Sequence, residues 1–480
     1  MLTLAHFLDV LDIGYRPDGH EPAISAVVTD SREVEPGSLF VALPGSRVDG
    51  HDFVAEAFDR GAIAALVNHI PAGILEMGDV QLINTLLDMV PQIQPDNRYL
   101  LLVRDTVSAM HQAAEVWRNR FSLRVIGITG SVGKTSTKEL THAVLSRRGS
   151  TMKTPGNRNS ILGLPPALFS LRPHHRWAVL EMGMYTVGEI KRLCELSRPH
   201  VGVVTMIDAV HMERAGSLEN IVRAKQELVE ALPAEGTAIL NKDEPLVMGM
   251  ADHTQARVLT YGLDPEADLW ADEIESMGLN GIRFTLHTQR QSLRLQVPLL
   301  GRHSVHTVLR AAAVGRNEGL TWDEIVHGLQ AMPAQLRIVT SPGPAGSLIL
   351  DDTYNASPAS MMAALNLLAD LEGRRMAVLG DMLELGAAEE SSHRLVGRRA
   401  LQVADILVTV GPRGRIIGEE AVRAGMPSNR VHLCVDAEAA ITLLNDQIRA
   451  GDAVLIKGSR AVNMDQIVAA ISQPVIGGNN

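Results

Sequence analysis

The segment most able to do chemistry is Gly130-Ser131-Val132-Gly133-Lys134-Thr135-Ser136-Thr137. It follows an apolar run and opens a stretch with helical spacing, so it reads as a strand, a loop and the start of a helix. Glycines in such a loop let backbone N–H groups converge on phosphate oxygens at a helix N-terminus. Lys134 would then reach the terminal phosphates, and the Thr135 hydroxyl a divalent cation. The strict pattern asks for glycine five residues before Gly133; that position is Ile128, and Gly127 stands one residue too early. The working half, Gly-Lys-Thr, is intact. Gly130, Ser131, Val132, Gly133, Lys134, Thr135 and Ser136 are therefore candidate nucleotide-phosphate ligands, and the loop alone does not fix a reaction.

Other residues could complete such a site. Glu181 ends the apolar run Ala178–Glu181, and a carboxylate at the carboxyl end of a strand is where a metal ligand is expected beside a phosphate loop. His211 follows the run Val201–Met206, although a lone histidine is more often surface or satisfied core. Lys225 lies on a charge-rich helical stretch, where the ordinary reading is a solvated lysine. Asp351-Asp352-Thr353-Tyr354-Asn355-Ala356-Ser357-Pro358 ends another apolar run and could contact a ribose or metal, or simply cap a helix. Lys457-Gly458-Ser459-Arg460 suits an anion equally well as a basic turn. Thr29-Asp30-Ser31-Arg32 and Asp49-Gly50-His51-Asp52-Phe53 are both accounted for by turn chemistry.

These residues need elements to hold them. From Leu123, apolar runs at 124–128, 178–181, 201–206 and 238–241 alternate with helical patterns at 134–147, 218–232 and 305–317. Strands alternating with crossover helices imply a parallel sheet covered on both faces. The stretch 259–297 turns more alternating, as a small antiparallel addition. After Pro333 a second series, with strands at 347–351, 376–379, 406–410, 431–435 and 453–456, reads as another open α/β unit. A Pro-bearing stretch at Pro91 and Pro95 closes a first region of short strands. The fold class is thus α/β in three domains: a small N-terminal one (1–99), a central phosphate-loop parallel-sheet one (100–333) and a C-terminal Rossmann-like one (334–480).

Three domains also fit the length of 480 residues at roughly 150 residues each. Lysine and arginine number 44 against 55 acidic residues, for a net charge of −11, which argues against a non-specific nucleic-acid binder. The two cysteines, Cys194 and Cys434, form no framework and point to a reducing cytoplasm. No run approaches the roughly 20 apolar residues that span a bilayer, and Met1–Tyr15 has no basic stretch before an apolar one, so neither membrane insertion nor a leader is expected.

In combination these segments resemble the Mur ligase family. Thr29–Arg32, Pro36-Gly37 through Leu43, and Asp49–Phe53 look like its N-terminal domain. Thr129–Thr135 looks like its phosphate loop, and Glu181, His211 and Lys225 fall in order at its metal-site positions. Asp351–Pro358, Gly380-Asp381-Met382-Leu383-Glu384-Leu385-Gly386 and Lys457–Arg460 are close to the member that adds D-alanyl-D-alanine. The resemblance implies ATP-dependent ligation of D-alanyl-D-alanine to UDP-N-acetylmuramoyl-tripeptide through an acyl phosphate, by a cytoplasmic monomer. The alternatives are its sibling, which adds a diamino acid to the dipeptide, and a catalytically silent nucleotide-binding module. The implied cofactors are ATP and Mg²⁺, with Thr135, Glu181, His211 and a carbamylated Lys225 on the metal. Lys134 joins Glu181, His211 and Lys225 as catalytic. Arg337, Asp352, Tyr354 and Asn355 would reach ATP; Ser31, Arg32, Asp49, His51, Asn157, Asn159 and Ser160 would bind the UDP-linked substrate. Ser304 and Thr307 stand where the family often has Asn.

Overall fold

The computed structural model describes residues 2–11, 19, 21–45, 48–87, 92–94, 96–208, 215–331 and 339–472. His211, Arg337, Pro91, Pro95 and the expected border at 333/334 lie outside the described residues.

The first sheet contains β1 (Val27–Val28), β2 (Leu39–Val41), β3 (Ala64–Val67), β4 (Val80–Asn84) and β5 (Arg98–Leu102), in the order β1-β2-β3-β5-β4. Every pairing in it is parallel. β5 runs through the expected border at 99/100, so this sheet extends to Leu102. Its core sets Phe40, Ala65, Val67 and Leu100 against Val54, Ala57 and Phe58 of the helix Val54–Asp59.

The second sheet holds β6 (Arg124–Thr129), β7 (Thr151–Lys153), β8 (Trp177–Glu181), β9 (Val201–Val204), β10 (Thr237–Asn241), β11 (Arg257–Gly262), β12 (Leu269–Ser276), β13 (Ile282–Thr288) and β14 (Ser292–Val297). Its order is β14-β13-β12-β11-β10-β9-β6-β8-β7. The expected antiparallel addition is β12, β13 and β14. Three helices matter most for the site: α1 (Lys134–Leu145), α2 (Leu218–Glu230) and α3 (Val305–Asn317).

The third sheet comprises β15 (Val339–Pro342), β16 (Leu348–Asp352), β17 (Arg375–Gly380), β18 (Ile406–Val410), β19 (Val431–Cys434) and β20 (Ala453–Lys457), ordered β15-β16-β20-β17-β18-β19. Only β15 is antiparallel, and its Pro342 is tolerated because the strand is at the edge. Side chains alternate between two cores. Leu350, Leu379, Leu407 and Leu455 pack against the helices Pro358–Ala369 and Glu389–Val403. Ile349, Val378, Val408 and Ile456 face the helices Ala437–Gln447 and Asp465–Ile471. A sheet covered on both faces reads as an unbroken apolar run, which is why these strands were visible in the sequence.

By compactness the chain divides into two units. One comprises Met1–Gly127, Gly149–Gly183 and Gly188–Val201; the other Ile128–Arg148, Met184–Val187 and Gly202–Asn480.

Candidate functional site

In the second unit, the phosphate loop is shaped by two left-handed glycines. Gly130 has φ 141° and Gly133, the residue capping α1, has φ 85°. A Cβ on Gly130 would lie 1.8 Å from the Thr205 hydroxyl oxygen, so only glycine fits. That hydroxyl donates to the Val132 carbonyl at 2.6 Å, and the Ser131 N–H donates to the Met206 carbonyl at 2.8 Å. Ser131 Oγ donates to the Asp208 carbonyl and accepts the Asp208 N–H, each at 2.9 Å. This explains why β9 stops at Val204, short of the expected Met206: the next residues bond the loop instead.

Lys134 arches back over the loop, donating from Nζ to the carbonyls of Gly130 at 2.8 Å and Ser131 at 3.1 Å. Thr135 and Ser136 follow, half-buried, in the first turn of α1. Their N–H groups belong to the free donor end of the helix, where negative charge is stabilised.

Lys225, on α2, is 2% exposed and has no hydrogen bond or ion pair among the described residues. Burial, and secondarily the positive Lys134, hold its amine well below the ordinary lysine range. The solvated lysine of the ordinary reading is excluded. A buried amine pushed towards neutrality is a nucleophile, able to attack CO₂.

In the first unit, Glu181 ends β8 and is 2% exposed. Asn159 Nδ2 donates to its Oε1 at 2.8 Å, and its own N–H reaches Thr154 Oγ1 at 3.0 Å. Asn159, an expected substrate ligand, also fixes one oxygen of this carboxylate. Gly183 allows this: its N–H donates to the Asn159 carbonyl at 2.8 Å, and a Cβ there would meet the Asn159 amide oxygen at 2.8 Å. Ser160 Oγ accepts the Gly163 N–H at 3.2 Å, Asn157 is exposed, and Arg158 pairs with Glu33.

Asp30 caps a short turn and grips Arg32, with Nη2 to Oδ2 at 2.6 Å; this bond holds the Asp30 carboxyl at a pKa of about 2. Ser31 is buried, 3.5 Å from Glu56. His51 is buried with both ring nitrogens used: Nδ1 lies 2.6 Å from Asp49, and Nε2 accepts the Asn68 N–H at 3.1 Å. Asp49, His51 and His69 cluster within 4.8 Å, but His51 has no lone pair to spare for a metal.

In the third sheet, β16 and β20 set Asp352 opposite Lys457. Lys457 is 2% exposed; its Nζ lies 2.9 Å from Asp352 Oδ2 and donates to the Asn355 carbonyl at 2.7 Å. Desolvation nevertheless pushes the half-buried Asp352 carboxyl up, against the opposing pull of Lys457. Tyr354 is 58% exposed, with the Arg460 guanidinium 6.0 Å from its ring centre. Lys457, expected as an anion ligand or a basic turn, is thus buried against Asp352 and Asn355, a pairing not foreseen from the sequence.

Sequence reasoning missed Arg310, a single cation in the alanine-rich middle of α3. Its Nη2 would stand 3.2 Å from a Cβ on Gly133, and it donates to Thr307 Oγ1 at 2.9 Å. Its signal was available: arginine is rare inside a helix face otherwise built of alanine and leucine. Ser304 donates to the Leu300 carbonyl at 2.6 Å.

A phosphate loop on an α/β sheet, with a second α/β sheet behind it in the chain, defines a class of nucleotide-dependent enzymes. The comparisons narrow it. Residues 128–315 match the Mur ligase middle domain, 336–460 the Mur ligase glutamate ligase domain, and 23–115 the Mur ligase family catalytic domain. The chain belongs to the Mur ligase family. It is 35% identical to the UDP-N-acetylmuramoyl-tripeptide--D-alanyl-D-alanine ligase of Escherichia coli over 98% of both chains, and 34% identical to that of Bacillus subtilis over 94% of both. Among solved structures, MurF from Acinetobacter baumannii has a TM-score of 0.81 at 29% identity over 98% of both chains. MurF ligase from Thermotoga maritima, solved with ADP, has a TM-score of 0.74 at 26% identity, covering 93% of this chain and 96% of that one.

Proposed function

We propose that the chain joins D-alanyl-D-alanine to UDP-N-acetylmuramoyl-tripeptide at the expense of ATP, forming ADP, phosphate and the UDP-muramoyl-pentapeptide precursor of peptidoglycan. The observation that carries this reading is likeness along almost the whole chain to ligases of that name. The tripeptide's terminal carboxylate attacks the γ-phosphorus, giving an acyl phosphate and ADP. The amine of D-alanyl-D-alanine then adds to the carbonyl and phosphate leaves.

The residues of the loop and of the strands and helices around it fit those steps. Lys134, already held over the loop carbonyls, is placed to bind the terminal phosphates as negative charge migrates to the leaving ADP. The N–H groups of Thr135 and Ser136 in the first turn of α1 support the same charge. Mg²⁺, when bound, neutralises phosphoryl oxygens. Thr135 and Glu181 suit it as hard oxygen donors, and His211 is the further ligand that the family resemblance implies. Lys225, carbamylated, would add an anionic oxygen donor; its buried, neutral-leaning amine is the form that reacts with CO₂. Asp352, Tyr354, Asn355 and Arg337 belong to the ATP side of this reading. Ser31, Arg32, Asp49, His51, Asn157, Asn159 and Ser160 belong to the UDP-substrate side. A cytoplasmic monomer follows from the same reading.

The acceptor decides the particular reaction. Offering D-alanyl-D-alanine with the tripeptide substrate, and a diamino acid with the dipeptide substrate, should give a new product mass only in the first mixture. Product only in the second would make the chain the sibling ligase.

A further inference from the structure

Arg310 is 5% exposed, yet among the described residues it has no carboxylate partner. Its Nε is buried without a hydrogen bond, Nη2 is held by the Thr307 hydroxyl at 2.9 Å, and the Tyr261 hydroxyl is a further, neutral hydrogen-bond partner. The Tyr261 ring, 5.8 Å from the guanidinium carbon, offers a weak cation–π contact. Tyr261 itself is committed, with its hydroxyl donating to the Thr205 carbonyl at 3.1 Å. Taking a charged guanidinium out of water without a counter-charge is costly. The fold nevertheless holds it there, on a helix packed against α1, beside Gly133 at the head of the phosphate loop. Thr307 and Tyr261 hold the guanidinium in place with neutral oxygens, which leaves its charge and its unsatisfied Nε for an anion.

We infer that Arg310 is a phosphate-binding residue of the nucleotide site, a second cation besides Lys134, oriented by Thr307 and completed by the diphosphate of the bound nucleotide. Arginine suits this role because its flat, multiply donating head binds phosphate oxygens in pairs. Thr307 is therefore spent on orienting Arg310 rather than on touching the base. The inference rests on the reading of the loop as a nucleotide site.

The test is calorimetric titration of the full chain with ADP and, separately, with adenosine. Arg310→Gln keeps the stem and two donors but removes the charge. It should raise the ADP Kd by on the order of tenfold or more and leave adenosine unchanged. Arg310→Lys should fall between wild type and Arg310→Gln for ADP. Unchanged ADP binding by Arg310→Gln, or equal losses for ADP and adenosine, would overturn the inference and leave Arg310 as a prop for the helix. If Arg310→Gln does not fold, Arg310→Lys carries the same comparison: a rise for ADP alone supports the phosphate contact, and equal changes refute it. A wild-type chain that fails to bind ADP would remove the nucleotide reading itself, and this inference with it.

Discussion

Lys225 and Glu181 show how burial changes what common residue types can do: each is a charged type held 2% exposed. On residue type alone Lys225 was a solvated helical lysine; desolvation and a neighbouring positive charge instead hold its amine well below the ordinary lysine range, as the proposed reaction with CO₂ requires. Labelled ¹³C-bicarbonate should therefore give a protein carbamate resonance, absent in Lys225→Arg; no such resonance in the wild type would leave Lys225 as a buried amine only. Asn159 acts one step out, by fixing one oxygen of Glu181. On the proposed reading of Glu181 as a metal ligand, Asn159→Ala should lower kcat and raise the Mg²⁺ needed for half-maximal activity, each by roughly tenfold or more. An unchanged Mg²⁺ requirement would mean that Glu181 does not depend on this bond.

At the scale of elements, the phosphate loop is a set of fitted surfaces. Gly130→Ala puts a methyl group onto Thr205 and forces an L residue to a positive φ, so it should cost about 2 kcal/mol or more and abolish ADP binding. Chemical denaturation together with ADP titration checks both. A second prediction concerns the capping box of the helix Trp322–Gln330. The Arg148 hydrogen bonds first, and the Thr321 N–H second, hold Glu324 at a pKa of about 2. Its folded pKa lies below its ordinary 4.5, so the stabilisation is complete above about 4.5 and disappears as pH falls through about 2. Wild type should thus melt above Glu324→Gln at pH 7, and the gap should close on acidification; a gap independent of pH would contradict the ion-pair account. Strands with both faces covered were legible because they are unbroken apolar runs, as in Ile406–Val410. β3 and β7 were not: four and three residues carry too little pattern. β5 was placed across a border because its Pro-bearing approach resembles a linker, whereas pairing with β3 and β4 assigns it to the first sheet.

For the whole molecule, the order of chemistry along the chain was legible, but the contacts that tune it were not. Loop, carboxylate and the paired residues of β16 and β20 stand at strand or helix ends, where sequence patterns are strongest, whereas Lys225 lies in mid-helix and stood out only through the family resemblance. Arg310 and the Asn159–Glu181 bond join residues 177 positions apart from their loop partner and 22 apart respectively, and no local pattern announces such pairs. The central claim concerns the reaction of the complete chain. Phosphate release from ATP should be measured with UDP-N-acetylmuramoyl-tripeptide, with and without D-alanyl-D-alanine. Sustained release that requires both, with a pentapeptide mass in the product, is the predicted result. Release unaffected by D-alanyl-D-alanine, or none with both substrates present, would contradict the account.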